Sequence, residues 1–469
     1  MVSTATRNEI WRERLTSLWA NMWRWVLMAF GALTAIYLLL EQGVQNGSML
    51  AIVVAAFVVA AALTGSKPLA IALVAMPGLL IPQRIGLGGA DLSVSDVALA
   101  AAFGTAVLLG QRPFSKPLRN LLSLNLVYQF ATLFTVIVHP YVENTVEWFH
   151  AWLLVSGALI VGWALGAAGY ARLALSLIVT TACLLAAITL VEGLMQYARG
   201  DYGPVYPTWP FAMHKNFVGT VLAFAAVVAY VSPDWVGWTR GWSRFALGLL
   251  VVGILLTQSR QALIGLVAAV IIAVLRRSST RRSRLVLLLL VPAVLLIITM
   301  VVEQVASQDR HNSVFQRINW FREVIHFWRQ DPVFGHGLRF WYNRGELPYQ
   351  PPQAELEVLA ASGVVGLIGF IVMWIGVIVV LWRIDPRFGS LALAVVFCRI
   401  VQAQFDLFWV AAQVSIPFVI VGICLGAMAH GDGARGQPGK ASADASLPSA
   451  TQEQEFRADE LRQGSRNRR

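Results

Sequence analysis

Two short stretches of this chain place positive charge where one apolar segment gives way to another. Arg260 lies in TQSRQ (257–261), and His214 and Lys215 lie in AMHKN (212–216). A guanidinium can form paired hydrogen bonds with phosphate oxygens, and the first residues of a helix add a partial positive charge. An isolated arginine at a membrane edge can also reach lipid headgroups instead. The two stretches together favour an anion-binding site.

A second group of residues could accept a proton. Glu355 and Glu357 follow two prolines in PPQAELEV (351–358), and His336 stands between glycines in FGHG (334–337). A carboxylate in the first turn of a helix also interacts favourably with the helix dipole, and proline is common just before such a turn. Glu355 is therefore open to a catalytic or a structural role, whereas Glu357 is predicted to be structural.

The elements that must position these residues are membrane helices. The chain has 469 residues, 57% of them hydrophobic and 13% charged, and its mean hydropathy is +0.64. Apolar blocks recur along nearly the whole chain, which predicts an all-α polytopic membrane protein with about 12–14 transmembrane helices. The alternatives are fourteen crossings, or twelve or thirteen crossings plus re-entrant pieces. The predicted spans are 25–41, 49–65, 68–82, 95–110, 119–138, 147–168, 171–193, 216–232, 244–258, 260–275, 285–302, 356–382, 389–404 and 408–429.

The basic residues predict the orientation. The chain carries 36 Lys and Arg against 25 Asp and Glu, a net charge of +11. In a membrane protein the positive-inside rule explains such an excess before nucleic acid does. Cytoplasmic runs such as RRSSTRRSR (276–284) give an N-in, C-in topology. Most of the remaining basic residues lie around three outer segments, 194–216, 257–261 and 303–355, which indicates an anionic partner outside and no nucleic acid.

The same reasoning divides the chain into segments. A cytoplasmic amphipathic segment (1–24) is predicted to precede transmembrane helices 1 to 11 (25–302), and the first of these is expected to be a retained helix and not a signal peptide. A large extracytoplasmic loop (303–355) is followed by the C-terminal transmembrane helices (356–430) and a disordered cytoplasmic tail (431–469). The three cysteines fall within apolar segments and are predicted to be core residues.

The outer loop is predicted to contain an amphipathic surface helix. In SVFQRINWFREVIHFWRQDP (313–332), apolar residues from Val314 to Trp328 recur at helical spacing, and Pro332 follows the end. Arg317 and Arg322 are expected on the flanks of this helix. They could be solvated charges on an outer-leaflet helix, or they could face a bound anion.

The longer motifs resemble a known family. The series LLTQSRQALIG (255–265), then an outer loop with FQRINWFREVIHFWRQDPVFGHGLRFW, then ELEVLAASGVVGLIGF (355–370), is similar in order and spacing to the O-antigen ligase and Wzy-type polymerase superfamily. AMHKNFVG (212–219) resembles the segment that precedes this series in the family. The resemblance extends over residues 205–375.

This resemblance implies a GT-C-like membrane glycosyltransferase of the cytoplasmic membrane, with its active site on the extracytoplasmic face. It would transfer or polymerise a glycan, with inversion, from a polyprenyl-diphosphate donor to an acceptor hydroxyl in cell-surface polysaccharide biosynthesis. No metal and no cofactor are implied. The partners would be the donor, a glycan, lipid or wall-polymer acceptor, and membrane lipids.

The family pattern also implies roles for individual residues. Arg260 matches the arginine that binds the donor diphosphate. Arg317, three residues before Trp320, matches a second such arginine, with Arg322 as the reserve. The other candidates for donor or substrate binding are His214, Lys215, Arg339 and Gln353.

The chain departs from the family at two adjacent positions that bear on catalysis. The family has His-Asn at the start of the segment after the loop, with the histidine proposed as general base, and here those positions read Pro352-Gln353. If a base is needed, Glu355 is the nearest titratable residue and His336 is the second candidate. A non-catalytic scaffold derived from such an enzyme is an alternative that this departure leaves open.

A lipid-linked glycan flippase or exporter is the other alternative. Many helices and outer arginines would suit one, and Arg399 and Asp406 could form a transport pair within the membrane. A structural ion pair near the membrane edge is favoured for these two residues. Transporters also usually have paired repeats with broken helices at the midplane, and the sequence shows no such repeat.

Overall fold

The structure, a computed structural model, describes residues 67–87, 90–276, 313–343 and 347–435. The compact unit that contains nearly all of them ends at Met428. The elements are α1 (Ala70–Gly78), β1 (Arg84–Leu87), β2 (Ala90–Ser93), α2 (Val94–Leu109), α3 (Lys116–Val138), α4 (Val142–Trp152), a π-helical turn (Leu153–Gly157), α5 (Ala158–Ala167), α6 (Ala171–Ala198), α7 (Lys215–Val231), α8 (Arg240–Thr257), α9 (Arg260–Arg276), α10 (Ser313–Trp328), α11 (Ala354–Trp382), α12 (Pro386–Ala403) and α13 (Ala411–Arg435), with short 3₁₀ turns at Asp234–Val236 and Phe340–Asn343.

Seven helical spans in the described ranges are long and apolar enough to cross a membrane. They are α3, the continuous α4–α5 pair, α6, α8, α11, α12 and the Ala411–Gly431 part of α13, and α2 and α7 are shorter apolar helices. This confirms the prediction of an all-α polytopic membrane protein. The predicted spans 25–41, 49–65 and 285–302, the segment 1–24 and the tail beyond 435 lie outside the described residues, so the number of crossings stays a prediction.

The predicted span 68–82 is wrong. Its helix, α1, has only nine residues, and at 1.5 Å per residue it covers less than half of a bilayer core of about 30 Å. The chain then forms a two-stranded antiparallel hairpin in which Arg84 pairs with Ser93 and Leu87 with Ala90. The sequence between the strands is Gly-Gly, a pair typical of two-residue hairpin turns. Ser93 then caps α2 through a reciprocal hydrogen-bonded box with Asp96.

Helix α11 is broken near its beginning, and the outer loop fills the break. Gly363 has φ +62 and ψ −164, a conformation that favours glycine. The amides of Val364 and Val365 donate to the carbonyls of Pro332 and Val333, at 3.0 and 3.3 Å. In return, the carbonyls of Ala360 and Ala361 accept from the amides of residues 336 and 337, at 3.0 and 2.9 Å. Residues 332–337 are therefore joined to a membrane helix by backbone hydrogen bonds.

Helix α10 packs against the same part of α11. Val324 and Phe327 are buried in an apolar cluster that includes Leu338, Phe340, Leu347, Ala360 and Ala361. The predicted amphipathic helix is confirmed, but its buried side is different, because Phe321 is exposed and Phe327 is buried. The helix is thus supported by protein on at least one side.

Candidate functional site

Arg260 is the first residue of α9, directly after a tight turn. Helix α8 ends at Thr257, and Gln258 follows in the left-handed region with φ 49. The Gln258 side chain donates to the Tyr202 carbonyl at 2.9 Å, which fixes the turn against the loop that precedes α7. The short turn predicted between the two apolar segments is therefore present, with Arg260 at a helix N-terminus.

Lys215 and His214 begin α7 beside this turn. His214 is the N-cap residue, and its Nδ1 accepts a hydrogen bond from the Asn216 amide at 3.3 Å. Burial lowers the pKa of Lys215, and the positive charge of Arg260 lowers it further. Two cations thus lie close enough to repel each other. Within the described part of the chain, neither forms a salt bridge with a carboxylate. An anion between them would relieve the repulsion.

The loop between α12 and α13, residues 404–410, connects the first turn of α9 to the first turn of α11. Gln261, the neighbour of Arg260, donates to Asp406 Oδ2 at 2.5 Å. Two residues earlier on the same loop, Gln404 donates to Glu355 Oε1 at 2.7 Å. The predicted spans 389–404 and 408–429 leave only residues 405–407 for this turn. The described structure gives it seven residues, whose hydrogen bonds link the beginnings of α9 and α11. We call the region that contains Arg260, Lys215 and Glu355 the rim.

Glu355 is held by two amide groups. The chain enters α11 extended at Gln353, with φ −161, and the Gln353 side chain accepts from the Leu356 amide at 2.7 Å as the N-cap. The Gln353 amide nitrogen also donates to Glu355 and, at 3.1 Å, to Gln404 Oε1. Both glutamine amides therefore point N–H groups at the Glu355 carboxylate, which keeps it as a hydrogen-bond acceptor at the rim.

Glu357 has the contacts expected of a structural carboxylate. It is 1% exposed. One of its oxygens accepts from Gln350 at 2.7 Å and the other from the Phe408 amide at 3.2 Å. Its side chain therefore joins the start of α11 to the 404–410 loop.

Arg399 and Asp406 do not form the predicted ion pair. The Arg399 guanidinium is completely buried and donates to the carbonyls of Leu407 and Phe408, at 2.8 and 2.5 Å, and to Gln413 at 3.0 Å. Asp406 accepts from Gln261 instead. Arg399 therefore fixes the 404–410 loop through the backbone carbonyls of Leu407 and Phe408.

His336 lies in a different environment from the rim. Its ring stacks on Phe327 with centroids 3.8 Å apart, and its Nε2 donates to the Phe327 carbonyl at 2.8 Å. These contacts join the 332–337 segment to α10. They occupy the ring face and one of the two ring nitrogens, so the surroundings of His336 favour packing over proton transfer.

Arg339 is paired inside the protein, which differs from the predicted role in donor binding. Its Nε donates to Glu147 Oε2 at 2.5 Å, and only 13% of the Arg339 side chain and 5% of the Glu147 side chain are exposed. Glu147 also contacts His150 at 3.1 Å, and His150 contacts Asp96 at 2.8 Å. The four residues form a buried charge network. Asp96, Glu147 and His150 lie within apolar stretches of the sequence, and ionisable residues in such stretches could have indicated this network.

The remaining predicted arginines lie on α10. Arg322 is exposed. Arg317 is within the helix, but its side chain lies outside the described residues, so its predicted contact with the diphosphate stays a prediction. The hydroxyl of Tyr349 donates to Glu323, and the Tyr349 and Trp320 rings are 6.0 Å apart. These contacts connect α10 to the stretch that leads into α11.

The comparison with protein families finds a match over the same part of the chain. A family model described as O-antigen ligase matches residues 245–372, which include Arg260, α10 and Glu355. No curated protein matches the chain. This match supports the resemblance to the O-antigen ligase superfamily that the motifs of residues 205–375 predict.

Proposed function

We propose that this protein transfers a glycan from a polyprenyl-diphosphate donor to an acceptor hydroxyl at the rim formed by Arg260, Lys215 and Glu355. The observation that carries the proposal is the hydrogen-bonded loop 404–410. Asp406 of this loop accepts from Gln261, the neighbour of Arg260, and Gln404 of the same loop donates to Glu355. The positive charge of Arg260 also acts on Lys215, and these contacts together support the proposal. A phosphate-binding pair beside a proton acceptor is what such a displacement requires.

The reaction would proceed in one displacement. The acceptor oxygen forms a bond to the anomeric carbon as the bond from that carbon to the diphosphate oxygen breaks, which inverts the configuration. Arg260 and Lys215 stabilise the negative charge that collects on the leaving diphosphate. The Glu355 carboxylate takes the proton from the acceptor hydroxyl. We place the rim on the extracytoplasmic side of the cytoplasmic membrane, as the distribution of basic residues predicts.

Arg317 is proposed as a second diphosphate ligand. It precedes the buried Val324 by seven residues in α10, so the helical repeat brings the two positions to the same side of the helix. Arg322, five residues after Arg317, belongs to the exposed side. This register favours Arg317 over Arg322.

The test is transfer by the full chain reconstituted in lipid nanodiscs with lipid-linked glycan extracted from the native host. Arg260→Ala should reduce the rate about 10²–10³-fold, the usual loss when one charge-stabilising donor is removed. Arg260→Lys should also be impaired, since an ammonium cannot replace the planar fork. The matched control is Arg240→Ala, because Arg240 is also the first residue of a helix and is exposed at the opposite end of α8.

The same preparation distinguishes the proposal from a flippase. A flippase moves labelled donor across a vesicle bilayer without forming a new glycosidic bond. If Arg260→Ala retained the wild-type transfer rate, or if only transbilayer movement were detected, the proposed function would be wrong.

A further inference from the structure

Three aromatic side chains project from the loop between α6 and α7, residues 199–214. Tyr202 is 71% exposed, Tyr206 is 46% exposed and Trp209 is 63% exposed. Large apolar rings left in the open by a protein indicate a surface that something else covers. We call these three residues the aromatic platform.

The backbone beneath the aromatic platform is fixed at several points. The Glu192 carboxylate accepts from the amides of Thr208 and Trp209, at 2.9 and 3.0 Å. The Tyr202 carbonyl accepts from Gln258 at 2.9 Å, and the Val205 amide donates to the Leu256 carbonyl at 3.1 Å. The loop is therefore tied to both α6 and the end of α8, so the rings are presented in a preorganised arrangement.

The aromatic platform adjoins the cations of the rim. The Lys215 ammonium lies 5.9 Å from the centroid of the Tyr206 ring, and the His214 ring lies 5.6 Å from it. Gln258, which holds the Tyr202 carbonyl, is two residues before Arg260. Whatever anion binds Lys215 and Arg260 therefore has the ring of Tyr206 beside it.

We propose that the aromatic platform binds the sugar rings nearest the diphosphate of the glycan donor. This inference rests on the proposed function. The first sugar of the donor is bonded directly to the diphosphate, so an anion held by Lys215 brings that ring next to Tyr206. One face of a pyranose presents C–H groups that pack on an aromatic ring, while the sugar hydroxyls stay at the edge. Tyrosine and tryptophan suit this task because they combine a flat apolar face with a polar group.

Lipid headgroups are the competing occupant, since Trp and Tyr are common at membrane interfaces. The two occupants require different properties of the side chain. A lipid interface needs apolar area, which leucine also provides, whereas stacking on a sugar needs a flat ring. Leucine and phenylalanine substitutions at one position therefore separate the two occupants.

The experiment uses the nanodisc-reconstituted chain and two probes. The first is the extracted lipid-linked glycan, for which KM and kcat are measured. The second is the same glycan released from its lipid by mild acid, which serves as a soluble competitor without diphosphate. The variants are Tyr206→Leu, Tyr206→Phe, Trp209→Leu and Trp209→Phe. Phe245→Leu is the control, because Phe245 is 61% exposed near the opposite end of α8.

We expect each leucine variant to raise the donor KM and weaken inhibition by the free glycan about tenfold, with kcat little changed. The phenylalanine variants and Phe245→Leu should stay close to wild type. Leucine variants with wild-type KM and inhibition would show that the aromatic platform does not bind sugar rings, and would assign its side chains to the lipid interface. If Arg260→Ala lowers transfer in that same experiment, the proposed function survives this result. If Arg260→Ala is also unaffected, both proposals fail.

Discussion

Charged side chains occur in two contrasting settings in this molecule. At the rim, Arg260 and Lys215 repel each other and Glu355 is held by neutral amides. In the buried charge network, Arg339 contacts Glu147, Glu147 contacts His150, and His150 contacts Asp96. A buried charge is tolerated when it is paired. A cation without a described counterion would instead be stabilised by binding an anionic ligand. We therefore assign substrate chemistry to the rim and assembly of the loop to the network.

The largest effect should come from the carboxylate of the rim. Glu355→Gln keeps the size of the side chain and removes its ability to accept a proton. We expect the transfer rate to fall about 10²–10⁴-fold, the usual contribution of a positioned base, while donor binding is retained. Single-turnover transfer and donor-binding measurements on the same preparation check the two parts.

His336→Gln is the matched variant for this prediction. The glutamine amide can still donate to the Phe327 carbonyl, the bond that His336 makes now. We expect only a modest loss of activity. A greater loss for His336→Gln than for Glu355→Gln, in a protein that remains folded, would transfer the role of base to the histidine and break the assignment of catalysis to the rim.

Substitutions in the buried charge network should reduce the stability of the protein, whereas those at the rim should reduce its transfer rate. Glu147→Gln leaves Arg339 and His150 without the carboxylate that both contact. Removing one partner of a buried ion pair costs about 3–5 kcal/mol of unfolding free energy. Chemical denaturation in detergent measures this loss.

Glu143→Gln is the control for the network, because Glu143 is exposed one turn earlier in α4. It should change stability little. Equal stability of the two variants would show that the Arg339–Glu147 contact contributes nothing, and Arg339 would again be a candidate for donor binding.

The sequence was a good guide where local patterns decide the structure. The tight turn before Arg260, the helix start after Pro351 and Pro352, and the amphipathic helix α10 all follow from residues close together in the chain. The 404–410 loop was too short in the prediction, because its polar residues are few and its shape depends on Arg399 and Glu357.

Features made by distant residues were not predictable. Arg339 and Glu147 are 192 positions apart, so their contact depends on the arrangement of the helices. The break in α11 is another case, since ELEVLAASGVVGLIGF is an unbroken helical and apolar pattern. The break exists because the backbone of residues 332–337 supplies the hydrogen bonds that the helix gives up.

The hydrogen-bonded break in α11 gives the next prediction, for which we expect an effect of intermediate size. Gly363→Ala places a Cβ 2.2 Å from the Val333 carbonyl oxygen in a conformation with φ +62. The strain and the clash should cost about 1–3 kcal/mol of stability or more, and should loosen the loop that contains Arg339 and His336. Gly248→Ala is the control, because a Cβ there meets nothing within 4 Å and α8 should tolerate or gain from the change. A Gly363→Ala protein as stable as wild type would mean that the loop does not depend on the break.

The smallest effect, and the sharpest test of the contrast, is expected at Lys215. Lys215→Ala removes a cation that we propose binds the diphosphate, so the donor KM should rise about tenfold, comparable to the loss of one charge-assisted hydrogen bond. Stability should not fall, because burial and the nearby Arg260 already disfavour the charged lysine in the folded protein. Removing the lysine also relieves Arg260 of a like charge. Arg199→Ala, an exposed arginine at the end of α6, should change neither quantity. Donor titrations and thermal unfolding of the three proteins measure both. A Lys215→Ala variant that loses stability without a change in KM would place Lys215 with the structural charges and leave Arg260 as the cation of the rim.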